Sequence, residues 1–504
     1  MSRLGKSLLS LLFLISWAVY ADDITTVLTI YSTAEPGSLS ADFYRSPDNN
    51  NASSLPGFGI VKIQKTLDLK SGQNSLSFTD IPSLIDPTTV LFKSLTDPDK
   101  TTVTQQVYGF DLSNPQQLLT RALGQEITIE QNQGNQVESY KGTLLNTSGG
   151  IILEDDHHQL ISLNNYNAAY LPNASNNLIT QPTLFWTITA NKSGKHQTET
   201  HYKTAGLTWW VDYNGIYSEG KNANSGFLSL SAWASIMNQS GMNYDQAKLK
   251  LIAGEVNQVQ TPRSFPRLMA MKAVNASGGS SENSPFSEAS LFEYHAYSMT
   301  DPITLPNGST QQMIFLKNTA RIAVQKQYIF EGTPGLLYSN YVNTDKEISI
   351  PNQSVRILLT FNNTSQAGLG IPLPAGRVRI NQSDLNEGSL EFIGEDIIAH
   401  TPPDEAIKLN LGNAFDITGK RKQIDFTIDN NRRIMEETIE ITLNNHKDQS
   451  VDMSAKETLY RAANWEIVKK SGEYQKLDSQ TISFPVTLPK NSEAKIQYTV
   501  RYTW

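Results

Sequence analysis

Short runs in which apolar and polar residues alternate make up most of the chain. Examples begin at Ile24 (ITTVLTIYS), Gly59 (GIVKIQKTLDL), Gln325 (QKQYIFEG) and Ser354 (SVRILLTFNN). A period of two, enriched in β-branched and aromatic residues and bounded by Gly, Pro, Asn and Asp, is typical of half-buried antiparallel strands. The chain is therefore predicted to be all-β. The chain has 504 residues, which is more than a single hydrophobic core usually organises, so several domains are expected.

One helix interrupts this pattern, in DLSNPQQLLTRALGQE. Asn114 can cap it, and Pro115 suits its first position. Its apolar face is formed by Leu118, Leu119, Ala122 and Leu123. Short strands follow in QEITIEQ, ESYKGTLLN, GGIILEDDHHQLISL and NAAYLP. A helix followed by several short strands predicts that residues 111–175 form a small closed β-barrel of the SH3 or Sm kind.

The other segments are predicted to form sandwiches. An N-terminal β segment, 22–110, is expected to contribute to a central β-sandwich at 181–410. Residues 262–286 are rich in Ser, Gly and Asn and carry little apolar surface, so they are expected to form a mobile loop. The alternation is cleanest at 415–504, where each strand has its own turn signal, which predicts an immunoglobulin-like sandwich.

The last strand allows two interpretations. Its apolar residues alternate up to a terminal aromatic residue: Ile496, Tyr498, Val500, Tyr502 and Trp504. We interpret it as the closing strand of the terminal sandwich, with these side chains in the core. The alternative is an outer-membrane β-barrel, whose strands can end in the same way. Pro485 and Pro489 at strand ends, unequal strand lengths and the lack of repeated aromatic girdles favour the sandwich.

The N-terminus has the features of a secretory signal peptide. Arg3 and Lys6 precede an apolar run from Leu8 to Trp17, and a small-residue cleavage site follows at Ala21. The run is shorter than the roughly 20 residues that span a bilayer as a helix. We therefore expect cleavage after Ala21 and a mature chain in the periplasm or at the cell exterior of a bacterium.

Charge and cysteine content exclude several chemistries. The formal net charge is −8, and it becomes more negative when Arg3 and Lys6 leave with the leader, so nucleic acid is a poor partner. The chain has no cysteine, which excludes disulfides, thiol catalysis, Cys-ligated zinc and iron–sulfur clusters. No nucleophile elbow, phosphate-binding loop, metalloprotease or dinucleotide motif is found. We expect no cofactor.

A histidine with nearby carboxylates is the main candidate for chemistry. In the run GEDIIAHTPPDEAIKLNLGNAFDI, His400 could act with Asp396, Asp404 and Glu405 in metal binding or proton transfer. The alternative is structural. Pro402 and Pro403 force an extended, rigid corner between two strands, and no second histidine lies near in sequence. We favour the corner, and we keep the four residues as candidates.

A second candidate lies in GLTWWVDYNGIYSEG. Leu207, Trp209, Val211 and Tyr213 fall on one face of a strand and are predicted to be buried in a sandwich core. The alternate positions, Trp210 and Asp212, are then predicted to point outward. Aromatic side chains can form a platform for sugars or peptides, so this outward pair is a candidate binding site.

Several motifs together resemble one family of bacterial exported proteins. They are SLSFTDIPSLIDPTTVLFKSL, DLSNPQQLLTRALGQEITI, GLTWWVDYN, IPLPAGRVRI, FIGEDIIAHTPPDEAIKLNLGNAFDI, ITLNNHKDQSV and the final YTVRYTW. The chain resembles the domain of unknown function 4139 family over nearly the whole mature sequence, most specifically between Ile371 and Ile417. The resemblance implies export, a β-rich architecture and an envelope location. It implies no catalytic residue or cofactor.

The alternation and the absence of catalytic motifs favour a non-catalytic binding or scaffolding protein of the cell envelope. Its expected partners are an envelope protein or a polysaccharide. A hydrolase that uses the carboxylates around His400, with or without a metal, is the first alternative. The outer-membrane β-barrel is the second.

Overall fold

The computed structural model describes residues 24–39, 43, 49–109, 115–133, 136–172, 179, 181–254, 256, 286–291, 294–319, 321–333, 342–346, 354–383 and 388–504. The structure is 66% strand and 3% helical, which confirms the all-β prediction. The predicted signal peptide, Asn114 and residues 262–285 of the predicted loop lie outside the described residues. Within the described ranges, no helix is both long enough and apolar enough to span a membrane.

The chain divides into two compact units. The first comprises residues 1–27 and 61–203, and the second comprises residues 28–60 and 204–504. The division falls inside β1 (Thr25–Ser32) and β2 (Gly57–Leu69), and at the last residue of the strand Gly194–Thr204. The predicted central sandwich, 181–410, therefore contributes to both units. The domain boundaries expected from the sequence remain predictions.

Ten further strands and the helix lie in the first unit. They are β3 (Gly72–Phe78), β4 (Ile85–Ser94), β5 (Thr102–Gly109), α1 (Pro115–Arg121), β6 (Glu126–Gln133), β7 (Gln136–Asn146), β8 (Ile151–Glu154), β9 (Leu160–Leu163), β10 (Ala168–Tyr170), β11 (Thr183–Ala190) and β12 (Gly194–Thr204). They form a β3–β11–β5 sheet, the run β2–β12–β4 and a five-stranded sheet in the order β10–β6–β7–β8–β9.

The five-stranded sheet and α1 share a small core. Pro115 begins the helix as predicted, Leu119 and Ala122 are buried against the sheet, and Gly124 ends the helical segment at φ +77°. Between 115 and 172 the sheet is open rather than closed, which corrects the predicted closed barrel. The edge strands β9 and β10 have only four and three residues and each pairs with one neighbour, so they are too short to close it.

The second unit contains the remaining strands and a 3-10 turn at Ser365–Ala367. The strands are β13 (Leu207–Glu219), β14 (Ser225–Asn238), β15 (Tyr244–Ala253), β16 (Phe286–Leu291), β17 (Tyr294–Met299), β18 (Ile303–Leu305), β19 (Ser309–Leu316), β20 (Ile322–Glu331), β21 (Ser354–Asn362), β22 (Gly376–Ser383), β23 (Leu390–Ile398), β24 (Ala406–Asp429), β25 (Ile434–Asn445), β26 (Val451–Thr458), β27 (Asn464–Lys470), β28 (Gln475–Lys476), β29 (Thr481–Leu488) and β30 (Ser492–Thr503).

A 14-stranded sheet organises this unit. Its main path is β23–β22–β13–β14–β20–β21–β24–β25–β30–β27, and β19 pairs β14 beside that path. Most neighbours are antiparallel, but β22 runs parallel to β13. The path matters for function because it places β23, β22, β13, β14 and β19 side by side.

The C-terminal segment has its own core. Ile496, Tyr498, Val500 and Tyr502 of β30 are buried in it, which confirms the predicted inward face. Tyr328, Phe330 and Val355, from β20 and β21, join the same core, so it draws on residues well before 415. Strand β24 also runs without interruption through the predicted boundary between 410 and 415.

Two ion pairs are buried in the same C-terminal segment. Arg421 Nε lies 2.9 Å from Glu457 Oε2, and Arg461 donates to Glu437 Oε1 at 3.0 Å. The side chains of Glu457 and Arg461 are fully buried. Tyr498 donates a 2.6 Å hydrogen bond to Glu457, and burial raises the pKa of that phenol well above its usual range. The hydroxyl is therefore a permanent donor to the carboxylate.

Candidate functional site

Strand β13 presents two chemically different faces. Leu207, Trp209, Val211 and Tyr213 are buried with at most 2% exposure, which confirms the predicted core face. Trp210 and Asp212 lie on the opposite face and are half-buried. The Trp210 indole N–H donates to Asp212 Oδ2 at 2.9 Å, so the two candidate binding residues form one unit.

Buried tyrosines hold the segment that leads into β22. Tyr213 donates to the carbonyl of Pro374 at 2.8 Å, and Tyr297 donates to that of Pro372 at 3.0 Å. Burial raises the pKa of both phenols, which keeps them protonated as donors. These bonds anchor the IPLPAG turn from the interior and bring β22 alongside β13.

Gly376 permits the close parallel pairing of these two strands. It lies opposite Val211, and a Cβ at this position would be 2.4 Å from the Val211 carbonyl oxygen and 2.6 Å from the Tyr213 ring. Only glycine fits without movement of backbone. The residue that follows it, Arg377, is thereby paired with Asp212.

Two arginines from β22 converge on the Asp212 carboxylate. Arg377 Nε lies 3.3 Å and Arg379 Nη1 3.4 Å from Asp212 Oδ1. Arg379 also lies 3.6 Å from Glu395 of β23. The Asp212 side chain is only 14% exposed, whereas both arginines keep about a third of theirs in solvent. The negative charges of Asp212 and Glu395 balance the positive charges of Arg377 and Arg379, so the cluster carries no net positive charge that would attract an anion.

Register extends this cluster into a row across five strands. Ile397 (β23) pairs with Arg377, Arg377 with Asp212, Asp212 with Trp233 (β14), and Trp233 with Ile314 (β19). Paired residues share a sheet face, and strands lie about 4.8 Å apart, so the row is about 19 Å wide. Trp233, Ile314 and Ile397 are 38%, 39% and 54% exposed.

We name the side chains of Trp210, Asp212, Trp233, Arg377 and Arg379 the Trp–Arg face. It combines ring surface with guanidinium N–H donors that are held by the sheet. Trp and Arg are the residue types most enriched among those that dominate binding energy in protein interfaces. These groups are suited to the recognition of a partner.

The structure places the His400 segment at a corner between β23 and β24. His400 is exposed, and its Nδ1 accepts a 3.0 Å hydrogen bond from the Ala375 backbone N–H. Asp404 and Glu405 are also exposed, and Asp404 adopts φ +65° in the turn. Asp396 accepts backbone N–H groups from Ile397 at 2.9 Å and Asn410 at 2.6 Å. These contacts fix the backbone of the corner.

The buried side chain of Asn363 ties this corner to the IPLPAG turn. Its Nδ2 donates to the carbonyls of Ile371 at 2.8 Å and Pro402 at 2.8 Å, with Thr401 at 3.3 Å. Its Oδ1 accepts the Gly370 N–H at 2.9 Å. One side chain thus joins the two motifs that carry most of the family resemblance, and it does so through backbone atoms.

A metal centre at this corner lacks a ligand set among the residues described. No group of three or more His, Asp or Glu side chains is placed to hold a metal ion anywhere in the described ranges. Asp396, His400, Asp404 and Glu405 come from one corner, where Asp396 and His400 both accept backbone N–H groups.

The outward position of Trp210 and Asp212 was predicted from the sequence, whereas Arg377 and Arg379 were not singled out. In GRVRI the arginines alternate with Val378 and Ile380, both buried, so period two alone places Arg377 and Arg379 on the outer face. The parallel pairing with β13 gives no comparable signal, because its partners lie 165 residues apart in the chain.

No protein-family model matches the chain, and a search of curated proteins finds no significant match.

Proposed function

We propose that this chain is an exported, non-catalytic binding protein of the bacterial envelope, and that the Trp–Arg face is its binding surface. The observation that carries the proposal is the five-strand row in which Arg377 and Asp212 lie between exposed apolar side chains, with Arg379 beside it on the same face of β22. Such a face suits a macromolecule, because small ligands require a concave site.

A protein partner fits the face better than a polysaccharide. Trp233 and Arg377 present ring area and directional N–H donors within one row, as central residues of protein interfaces do. The two arginines of the face are balanced by Asp212 and Glu395, so binding of a partner should depend only weakly on salt concentration. Binding of an acidic polysaccharide by the arginines alone would instead weaken strongly as the salt concentration rises.

The binding surface is testable by retention on the immobilised mature chain. Solubilised envelope proteins, purified peptidoglycan and envelope polysaccharide of the source bacterium are applied to the wild type and to Trp233→Ala/Arg377→Ala. Arg432→Ala/Leu477→Ala serves as the matched control, because it removes an exposed arginine and an exposed apolar side chain elsewhere in the same unit. Circular dichroism verifies that each variant is folded.

The face variant is expected to weaken retention of a protein component by about tenfold or more, whereas the control retains wild-type binding. Equal retention by both variants would remove the Trp–Arg face as the surface. Retention of polysaccharide alone would replace the protein partner. Export is tested separately, by the N-terminal mass of the chain recovered from the periplasmic or extracellular fraction, which should begin at Asp22.

A further inference from the structure

A cleft opens in the first unit between β4 and β5. It has a volume of about 410 Å³, within the range of known ligand sites. Its walls are Pro87–Phe92 without Thr89, and Thr102–Gln106. None of these wall residues is charged. Leu91, which is 69% exposed, stands at the wall of β4.

The cleft separates two strands that a short connection would normally pair. Strand β4 is the last strand of the run β2–β12–β4, and β5 is an edge of the sheet β3–β11–β5. Within the described ranges, each has one paired side only. The backbone N–H and C=O groups on the other side are therefore available to a new strand.

Both ends of the cleft are hydrogen-bonded. At one end Gln106 donates to the Pro87 carbonyl at 3.0 Å and accepts the Trp186 indole N–H at 2.8 Å. At the other end the Thr101 N–H donates to the Asp97 carbonyl at 3.1 Å. These bonds fix both ends of the cleft.

A β-bulge shapes the wall formed by β5. Its register with β11 shifts at Thr104, whose hydroxyl donates to the Thr187 carbonyl at 3.1 Å. Bulges are common at sheet edges beside functional sites, where they redirect side chains. Here the bulge lies in the middle of the cleft wall.

We propose that this cleft binds an extended peptide segment by strand addition between β4 and β5. The walls are five or six residues long, about 13–17 Å at the rise of a strand, which matches an extended segment of four or five residues. The uncharged walls select neutral side chains. Leu91, which is 69% exposed, provides apolar contact for alternate ones.

A sugar fits these walls less well. The aromatic side chain at the cleft, Phe92, packs edge-on against Trp186 with ring centroids 5.4 Å apart, and Trp186 is itself 2% exposed. Neither ring lies open as a stacking platform. The unpaired strand edges, in contrast, offer what a peptide backbone needs.

The probe is a pool of acetylated and amidated octapeptides randomised over Val, Leu, Thr, Ser and Gln, captured on the immobilised full-length chain. The test variant, Leu91→Arg/Gln105→Arg, places two long charged side chains in the cleft at exposed positions. The control, Leu160→Arg, makes the same change at a residue of similar exposure, 68%, on another sheet of the same unit.

Wild type and Leu160→Arg should capture the same peptides, and the double variant should lose about tenfold or more of that capture. Alternate N-methylation of a captured peptide should abolish its binding, and amides of β4 and β5 should gain protection from hydrogen exchange in its presence. No enrichment over the double variant, equal capture of the N-methylated form, or protection by a neutral maltooligosaccharide pool instead of peptides would each overturn the proposal. Because Trp233→Ala/Arg377→Ala leaves the cleft intact, this result is independent of the Trp–Arg face.

Discussion

Replacing Asn363 by alanine should be among the most destabilising changes of a polar residue in the second unit. The side chain is fully buried, and it makes three short hydrogen bonds, to Ile371, Pro402 and Gly370. The fourth contact, at 3.3 Å to Thr401, counts for less because that carbonyl also accepts the Leu373 N–H at 2.9 Å.

The magnitude follows from these contacts. A buried hydrogen bond contributes about 1 kcal/mol net, and a partner left unsatisfied adds roughly 1–3 kcal/mol where water cannot reach it. Three bonds therefore correspond to a loss of about 3–5 kcal/mol in the free energy of unfolding. Asn362→Ala is the matched control, because that neighbour is exposed and its change should cost less than about 0.5 kcal/mol.

Two assays measure the loss. Urea unfolding followed by tryptophan fluorescence gives the global change, and hydrogen exchange reports the local one at the Leu373 and Thr401 amides, which bond each other's carbonyls at 2.9 Å. Exchange at these amides should accelerate by about 100-fold or more in Asn363→Ala. If the two variants exchange at the same rate, the side chain does not hold the corner and the reasoning fails.

Three further predictions concern single groups. In the first unit, hydrogen bonds from His201 and Gln64 lower the pKa of Glu199 to about 2, so its contribution to stability should be present above pH 4.5 and lost as the pH falls toward 2. Glu199→Gln should therefore lower the free energy of unfolding in urea by on the order of 1–2 kcal/mol at pH 7, and by less at pH 2.5. Glu457→Ala should cost about 3–5 kcal/mol in urea unfolding because it leaves Arg421 buried without its carboxylate, and a loss below 1 kcal/mol would contradict this. At the corner, Asp404→Gly should be neutral or stabilising and Asp404→Val should destabilise by about 1–2 kcal/mol in thermal unfolding, because φ is +65°; the opposite order would refute the backbone argument.

The period-two pattern predicted strands and their faces because that information is local. In β13 the alternation alone separated the buried Trp209 from the half-buried Trp210. In α1 the proline and the spacing of apolar residues were sufficient to predict the first helical position. Closure of the small sheet was wrongly predicted because it depends on the lengths of β9 and β10, which composition and periodicity do not fix.

The Trp–Arg face was only half predictable for a related reason. Trp210 and Asp212 follow from one strand, whereas Arg377 reaches Asp212 only because β22 pairs in parallel with β13. That pairing depends on the lack of a side chain at Gly376 and on the bonds from Tyr213 and Tyr297 to the preceding turn. None of these contacts has a sequence period.

Buried asparagines could not be recognised from the sequence, because asparagine is also a common residue of turns and loops. Among the residues that the structure describes, the buried asparagines are Asn238, Asn363 and Asn445, which lie at or just after the ends of β14, β21 and β25. Each donates through Nδ2 to carbonyls of other segments and accepts a later backbone N–H through Oδ1. An amide side chain is suited to this role because it has two donors and two lone pairs.

These contacts give the chain a way to fix its connections without disulfides. Asn363 donates hydrogen bonds to the carbonyls of Ile371, just before β22, and Pro402, just after β23. These two strands carry Arg377 and Ile397 of the five-strand row. A surface whose side chains are already fixed in place loses less conformational entropy when a partner binds. The corner at His400 is held both by the Asn363 amide and by the backbone N–H groups that Asp396 and His400 accept. We therefore expect Asn363→Ala to weaken binding at the Trp–Arg face, although Asn363 is not part of that face.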